Sequence, residues 1–308
     1  MNTQIILITG ASSGFGRVTA ETLAQHGHTV YATVRDMTGK NQPIARELQR
    51  AAQAKHTRLH VIELDVTNTE SVECAVQTVV SESGRLDVLV NNAGIAYAGI
   101  TEGFTPEQAS TLFDVNVIGI LRTMRAALPV FRQQGSGLII NIGSILGRVT
   151  FPFFGLYGAT KYALEALTKS YRYELSQLGI DVALLQPSAY PTAMYANMQG
   201  SADSPCVEEY GDMAKIPSAM LEQFGKLLSA PNAPKPQEVA DAIRHLVGQP
   251  AGSRPFRTAV GPDFGAETVN AQTAPVQAEV LKGLGLGHLN TLKTPGWVTC
   301  NQEDIPCH

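Results

Sequence analysis

The stretch Thr9-Gly10-Ala11-Ser12-Ser13-Gly14-Phe15-Gly16 follows a short apolar run, 5–8, and precedes an amphipathic stretch near 15–26. Glycine allows a sharp backbone turn, a close approach to a phosphate, or tight packing of a helix on a strand. The free amides at a helix N-terminus also attract an anion. The pattern therefore predicts a strand, a glycine turn and a helix, with the turn binding a nucleotide phosphate. A turn of this kind without a ligand is the alternative.

Short apolar runs alternate with amphipathic stretches along most of the chain, which is the pattern of β-α-β units. We expect strands near 4–9, 28–34, 58–63, 86–90, 137–142, 180–186 and 256–260. We expect helices near 15–26, 42–54, 69–82, 106–134, 158–177 and 237–248. The predicted fold is α/β, a doubly wound parallel sheet of about seven strands with helices on both faces.

The later part of the chain departs from this alternation. Residues 187–236 are rich in proline and lack clear strand character, so we expect an irregular flap beside a functional site. We expect residues 1–262 to form one domain and residues 263–308 a C-terminal extension. The extension contains a helical-looking segment from Ala274 to Leu284 and the only tryptophan, Trp297.

Composition excludes several classes of protein. The 308 residues are 44% hydrophobic and 16% charged, which describes a globular chain rather than a disordered one. A net charge of −4 provides no basic field for nucleic acid or an anionic membrane surface. No stretch approaches the roughly 18 apolar residues of a membrane helix, and the N-terminus lacks the pattern of a signal peptide. We therefore expect a soluble cytoplasmic protein without a nucleic-acid or membrane partner.

The four cysteines suggest neither a metal site nor a disulfide framework, because they are far apart and have no ligand-like spacing. They are Cys74, Cys206, Cys300 and Cys307.

Further motifs follow the glycine turn in a fixed order. Asn91-Asn92-Ala93-Gly94 comes after the fourth predicted strand, Asn116 lies in the next helix, and Ser144 stands just past the fifth strand. Tyr157-Gly158-Ala159-Thr160-Lys161 begins 13 residues after Ser144. With the T-G-x-x-x-G-x-G spacing of the turn, this series resembles the short-chain dehydrogenase/reductase family, in its main single-domain branch, over roughly residues 3–262. The resemblance implies a Rossmann-like fold and a nicotinamide-dependent oxidoreductase.

The resemblance also implies a catalytic set. Tyr157 and Lys161 are four residues apart on a predicted helix, so their side chains project from one face. An unperturbed tyrosine has a pKa of about 10, and an ammonium group favours the phenolate, so we expect Lys161 to lower the pKa of Tyr157. Tyr157 would then act as general acid and base in reversible carbonyl reduction, while Ser144 hydrogen-bonds the carbonyl oxygen. Lys161 would bond the nicotinamide ribose, and Asn116 would hold a water that links Lys161 to solvent. A locally satisfied helix asparagine is the alternative for Asn116.

The implied cofactor contacts lie in the glycine turn, after the third, fourth and sixth strands, and in the catalytic helix. They are Gly10, Ser12, Ser13, Gly14, Phe15, Gly16, Asp65, Val66, Asn92, Ala93, Gly94, Tyr157, Lys161, Pro187, Ser188, Tyr190 and Thr192. Asp65 matches an adenine contact, with a turn cap as the alternative. Ser188 stands where the family has glycine, which is a departure from the family pattern.

The end of the second strand bears on the choice between NAD and NADP. A carboxylate there bonds the ribose 2′-hydroxyl but repels a 2′-phosphate. Val34 occupies the position where NAD-specific relatives carry an acid, and the next residue, Arg35, can bind a phosphate bidentately. We therefore expect NADP(H) in preference to NAD(H). The acidic Asp36 and the absence of a basic residue at Ser13 argue the other way, and Arg17 either adds positive charge or lies on a solvated helix face.

Apolar side chains surround the predicted catalytic residues, which favours an apolar ketone, aldehyde or alcohol as the substrate. The candidate pocket residues beside the loop 145–156 are Tyr97, Tyr190, Tyr195, Met194, Met198, Met213 and Met220. Packing of the fold or a subunit contact is the alternative for these side chains.

The resemblance implies a homodimer or homotetramer formed through the helices near 106–134 and 158–177. A catalytically inactive NADP-sensing protein of the same fold is the alternative function, and the presence of Ser144, Tyr157 and Lys161 argues against it. A sugar-nucleotide epimerase would carry a different glycine spacing.

Overall fold

Seven parallel strands form one sheet in the order β3-β2-β1-β4-β5-β6-β7. This arrangement is seen in a computed structural model that describes residues 3–294. The strands are β1 (Ile5–Ile8), β2 (Thr29–Val34), β3 (Leu59–Glu63), β4 (Val88–Asn91), β5 (Gly137–Ile142), β6 (Ile180–Pro187) and β7 (Arg257–Val260). The strand order reverses between β1 and β4, and ligands of such sheets bind at the carboxyl ends of the strands beside this point.

Helices cover both faces of the sheet. They are α1 (Gly14–Gln25), α2 (Gln42–Ala54), α3 (Thr69–Ser83), α4 (Pro106–Phe113), α5 (Gly119–Gln134), α6 (Gly155–Ser176), α7 (Ala193–Ala196), α8 (Ser204–Glu208), α9 (Ile216–Leu228), α10 (Pro236–Gly248) and α11 (Ala266–Gly283). Side chains alternate between two apolar cores along each strand. Ile6 and Ile8 of β1 pack with α1, α2 and α10, whereas Leu7 packs with α3, α5 and α6.

The structure confirms the predicted doubly wound sheet, and all seven strands lie within two residues of the predicted bounds. The single helix predicted over 106–134 is interrupted. A π-helical turn, Asp114–Ile118, separates α4 from α5. Such turns are rare and are often found at functional sites, and this one contains Asn116.

The predicted irregularity of residues 187–236 was wrong, because the segment contains α7, α8, a 3-10 turn and α9. A substrate flap formed by this segment stays a prediction. Prolines in the interior of a helix break it. Pro205 and Pro217 instead occupy the first turn of α8 and α9, where the missing amide hydrogen has no helical partner to lose.

The helix of the C-terminal extension begins at Ala266 rather than at Ala274, and Pro275 lies inside it. Trp297, Cys300 and Cys307 lie outside the described residues. Between residues 3 and 294, no helix is both long enough and apolar enough to span a bilayer.

Candidate active site

The glycine turn lies at the carboxyl end of β1 and requires glycine for two different reasons. Gly10 and Gly14 have φ angles of 68° and 54°, in the region that glycine adopts most readily. Gly16 has no room for a side chain, because a Cβ there would collide with Asn92 and with the Gly10 carbonyl oxygen. Since α1 begins at Gly14, its free amides border the turn. The turn therefore has the shape and the donors that a phosphate group needs.

Asn92 holds the glycine turn against the end of β4. Its Nδ2 donates to the carbonyl oxygens of Thr9 and Gly10, each at 2.9 Å. The Thr9 hydroxyl oxygen in return accepts the amides of Asn92 and Ala93, at 2.9 and 3.0 Å. The two sequence motifs thus form one hydrogen-bonded unit at the point where the strand order reverses.

The segment after β6 reaches the glycine turn from the other side. Thr192 lies 3.4 Å from the position that a Cβ of Gly14 would take. Tyr190 is buried below it, with its hydroxyl donating to Glu238 Oε2 at 2.9 Å and its ring edge-on to Phe15 at 5.4 Å. Tyr190 thus supports the segment, and its direct contact with a cofactor stays a prediction.

Ser188 replaces the family glycine without backbone strain. Its φ is not positive, and its amide donates to the Val260 carbonyl oxygen at 3.0 Å. The strain that a serine would suffer in a left-handed conformation does not arise here.

Ser144, Tyr157 and Lys161 line one cleft together with Asn92, Gly94 and the segment Pro187–Thr192. Ser144 follows β5 and caps a short 3-10 turn, with its Oγ accepting the Leu146 amide at 3.1 Å. Tyr157 and Lys161 lie one turn apart near the start of α6, as predicted. Lys161 Nζ donates to the Ile142 carbonyl oxygen at 3.0 Å and lies 5.6 Å from the centre of the Tyr157 ring.

Burial controls the ionisation of both groups on α6. It raises the pKa of Tyr157, with a smaller contribution from Tyr195, while the Ser144 hydroxyl acts in the opposite direction. Burial lowers the pKa of Lys161 to about 8, because the interior disfavours the ammonium form. The expectation that Lys161 lowers the pKa of Tyr157 is therefore not met by the side chains of the protein alone.

Asn116 is buried, and all of its amide hydrogen bonds in the structure are to protein groups. Its Oδ1 accepts the Ile95 amide and its Nδ2 donates to the Ile95 carbonyl oxygen, both at 2.9 Å. Nδ2 also donates to Thr160 Oγ1 at 3.1 Å. The Asn116 side chain thus links the π-helical turn by hydrogen bonds to the segment that follows β4 and to α6. This geometry matches the local alternative, and a catalytic water at Asn116 stays a prediction.

Asp65 also follows its structural alternative. Its Oδ1 accepts the Thr67 amide and hydroxyl at 2.9 and 2.7 Å, which is the arrangement of a turn cap. The adjacent Val66 is buried against α3. Contact of either residue with adenine stays a prediction.

The end of β2 presents Arg35 to solvent. The neighbouring Asp36 has a φ of 52° and its carboxylate accepts the Lys40 amide at 2.8 Å, so this acid caps its own loop. Within residues 3–294, no ion pair involves Arg35. Arg17, in contrast, pairs with Glu21 at 3.1 Å and Glu47 at 2.7 Å. Arg35 is therefore a cation at the end of this strand that an additional anion can reach.

An apolar pocket adjoins Ser144 and Tyr157. The predicted residues that line it include Phe151, Phe154, Tyr190, Met194, Tyr195 and Met198. Sequence reasoning missed Phe224 and Phe264, which also line it. Phe224 lies one helical turn after Met220 in α9, so recognition of that helix would have exposed it. Phe264 carries no such signal.

Three of the predicted pocket residues do not line the pocket. Two of them pack within the fold, which was the alternative, and the third is exposed to solvent. Tyr97 is buried and stacks on Phe104 with ring centres 5.8 Å apart. Met213 is exposed, and Met220 packs against the apolar cluster behind the pocket.

The architecture agrees with comparisons to known proteins. The sequence profile of the short chain dehydrogenase family matches residues 4–202. The chain belongs to this family. A 3-ketodihydrosphingosine reductase of Bacteroides thetaiotaomicron is 36% identical over 262 residues, covering 85% of this chain and 89% of the relative. Human 17-beta-hydroxysteroid dehydrogenase type 1 is 31% identical over 277 residues, with coverages of 81% and 82%.

Solved structures of short-chain dehydrogenases share the fold. One from Streptomyces avermitilis is 31% identical, with a TM-score of 0.72 over 93% of this chain and 98% of that one. An alcohol dehydrogenase of Thermococcus sibiricus, complexed with 5-hydroxy-NADP, is 27% identical with a TM-score of 0.65 and coverages of 84% and 96%. A 3-ketoacyl-(acyl-carrier-protein) reductase of Brucella melitensis, complexed with NADH, is 28% identical with a TM-score of 0.66 and coverages of 83% and 95%. The family is one of oxidoreductases, and its members use either form of the cofactor.

Proposed function

We propose that this protein is an NADP(H)-dependent oxidoreductase that interconverts a ketone or aldehyde and an alcohol on an apolar small molecule. One observation carries the proposal. Ser144, Tyr157 and Lys161 line the same cleft as Asn92, Gly94 and Thr192, beside the glycine turn, and an aromatic pocket adjoins them. Because all three catalytic side chains are present and converge, nothing in the site favours the inactive, NADP-sensing alternative.

The residues of the cleft fit a nicotinamide dinucleotide. The glycine turn would hold the pyrophosphate, because its geometry leaves space for no side chain at Gly16 and exposes the first amides of α1. Gly94 and Thr192 would border the nicotinamide end. When bound, the reduced cofactor supplies a hydride for the carbonyl carbon.

The protein side chains would handle the proton. Ser144 Oγ is placed to donate a hydrogen bond to the carbonyl oxygen, and the Tyr157 hydroxyl to deliver a proton to that oxygen as the alcohol forms. Burial favours the protonated phenol of Tyr157, and this is the form that reduction needs. Lys161 would move from the Ile142 carbonyl oxygen to the ribose hydroxyls and favour the phenolate after proton transfer.

The pocket supports an apolar substrate. Three of its aromatic side chains come from different parts of the chain, namely Phe151, Phe224 and Phe264. The names of the two curated relatives also refer to apolar molecules, a sphingoid base and a steroid. We infer that the substrate is a ketone or aldehyde with a sizeable apolar body.

A substrate panel tests this function. The assay follows oxidation of NADPH and of NADH, separately, with aromatic, long-chain and steroid ketones and with a small polar aldehyde as the contrast. We expect turnover of apolar carbonyls with NADPH at a higher kcat/KM than for the polar aldehyde. Turnover restricted to the polar substrate would contradict the pocket assignment, and absence of turnover with every carbonyl would contradict the enzyme assignment.

Phe264 provides a sharper test of the pocket. It has a φ of 49°, which a bulky residue adopts only when its surroundings hold it, and its ring meets Phe151 edge-on at 5.3 Å. The Phe264→Ala variant should raise KM for an apolar ketone about 2- to 10-fold, the scale of one aromatic contact, with a smaller change in kcat. Leu284→Ala, also an exposed apolar residue of the extension, is the matched control. Equal KM values for the three proteins would exclude Phe264 from the substrate site.

We further propose a homodimer or homotetramer formed through α5 and α6. Ile118, next to α5, and Tyr162, on α6, are large apolar side chains that are 40% and 42% exposed. Equilibrium sedimentation should give at least twice the chain mass, and a monomer mass at micromolar concentration would contradict the proposal. The cytoplasmic location stays a prediction.

A further inference from the structure

A second pocket lies between α6, β7 and α11, and it shares no lining residue with the active-site cleft. Lys169 and Tyr173 of α6 form one wall, and Phe256 and Arg257 form another. The third wall is the face of α11 that carries Asn270 and Ala274. Basic side chains thus face a surface of α11 that is made of alanines and two amide side chains, Asn270 and Gln277.

The side chains around this pocket carry an excess of positive charge. Five cations form the cluster, which consists of Arg148, Lys169, Arg172, Arg254 and Arg257. Two buried carboxylates oppose them. Glu165 pairs with Arg257 at 2.8 Å, and Asp181 pairs with both Arg254 at 2.9 Å and Arg172 at 3.3 Å. The chain as a whole has a net charge of −4, so this excess is a local property.

Lys169 is the cation at the pocket wall that lacks a carboxylate partner within the described part of the chain. Its Nζ lies 4.4 Å from the centre of the Phe256 ring and 4.7 Å from that of Tyr173. These rings fix the ammonium by cation–π contacts but do not neutralise it. Burial, and then the charges of Arg172 and Arg257, lower the pKa of Lys169 to about 8, although the Glu165 carboxylate acts in the opposite direction. The ammonium is thus held in place where its positive charge is under-compensated.

Both donors and an acceptor without a protein partner among residues 3–294 lie at the wall of this pocket, and the acceptor is Asn270 Oδ1. Arg257 uses only Nε, which donates to Glu165 Oε2 at 2.8 Å, so its two terminal nitrogens have no hydrogen-bond acceptor among residues 3–294. The guanidinium lies over Phe256 at 4.6 Å, which orients its plane. A planar carboxylate matches such a donor pair, and an ammonium nearby strengthens the contact.

We propose that this pocket binds a small organic carboxylate, with the carboxylate group at Lys169 and Arg257 and a compact apolar body against Phe256 and α11. The charge excess and the two terminal nitrogens of Arg257 favour an anionic group. The ring of Phe256 and the methyl group of Ala274 provide the apolar surface. The proposal is independent of the oxidoreductase chemistry, since none of these residues lies in the catalytic cleft.

Calorimetric titration of the full chain with sodium hexanoate at constant ionic strength tests the proposal. We expect saturable binding that Lys169→Met weakens about 10-fold or more, since methionine keeps the packing but removes the charged donor. Lys169→Arg should retain binding because it keeps a cation at the same place. Lys282→Met, which removes an exposed lysine of α11, is the matched control and should bind as the unmodified protein does.

Two further probes test separately the contributions of the charged group and of the apolar body to binding. Hexanol, which lacks the charge, and inorganic phosphate, which lacks the apolar body, should each bind more weakly than hexanoate. Equal affinity for hexanol would overturn the anionic part of the proposal, and equal affinity for phosphate would overturn the apolar part. Hexanoate binding that survives unchanged in Lys169→Met would place the ligand elsewhere and overturn the site. Loss of binding in Lys169→Arg as well as in the methionine variant would also count against a role for the charge.

Discussion

The Tyr157→Phe variant should lose at least about 100-fold in kcat/KM for carbonyl reduction, the scale of general acid catalysis. The substitution removes one oxygen atom and leaves the ring, which packs near Phe154 with centres 6.5 Å apart. Ser144 can still hydrogen-bond the carbonyl oxygen, but the phenolic proton of residue 157 is lost. The loss should therefore fall mainly on kcat, because the interaction is made in the transition state.

Two measurements make this result specific. The affinity for NADPH, from quenching or enhancement of its fluorescence, should change little. Tyr162→Phe, which removes a hydroxyl from an exposed tyrosine of the same helix, should retain nearly full activity. If Tyr157→Phe turned over apolar ketones at close to the normal rate, Tyr157 would not be the proton donor.

The Arg35→Asp variant should lose about 100-fold in kcat/KM with NADPH, because it replaces a cation by an anion where a 2′-phosphate would lie. The neighbouring Asp36 does not change this expectation, because its carboxylate already accepts the Lys40 amide within its own loop. The new carboxylate could bond the ribose 2′-hydroxyl of NADH instead. We therefore expect kcat/KM with NADH to stay level or rise.

The ratio of kcat/KM between NADPH and NADH, measured with one ketone, reports this change directly. Arg50→Asp, which makes the same charge change at an exposed position of α2, corrects for the effect of net charge. High ionic strength should reduce the difference between unmodified protein and Arg35→Asp, because salt screens exposed charges. A strong preference of the unmodified protein for NADH would show that Arg35 does not select the cofactor.

The sheet was predictable because its signals are local. Each strand is a short apolar run, and the turn between β1 and α1 is indicated by glycines that lie close together in the chain, from Gly10 to Gly16. The interruption of the helix over 106–134 was not predictable from periodicity, because a π-helical turn shifts the pattern by a single residue. The start of α11 was predicted eight residues too late, at Ala274 rather than Ala266.

The candidate site was predictable only in part, because its wall depends on contacts between distant segments. Motif order identified Ser144, Tyr157 and Lys161, and the structure brings them to one cleft. No local pattern places Phe264 beside Phe151, more than 100 residues earlier in the chain. The ionisation of Tyr157 was also beyond sequence reasoning, because burial of the phenol depends on how α6 packs on its neighbours.

The wall of the apolar pocket is assembled from chain regions that lie far apart in sequence, whereas the glycine turn and Asn92 lie at the ends of β1 and β4. Phe151 precedes α6, Phe224 belongs to α9, and Phe264 leads into α11. Substitutions at these three positions can therefore remodel what enters without disturbing the hydrogen bonds that fix Asn92 to the turn at Gly10. Under the proposed function, substrate selectivity would be altered by substitutions in this wall. Libraries at the three phenylalanines are the place to begin such engineering.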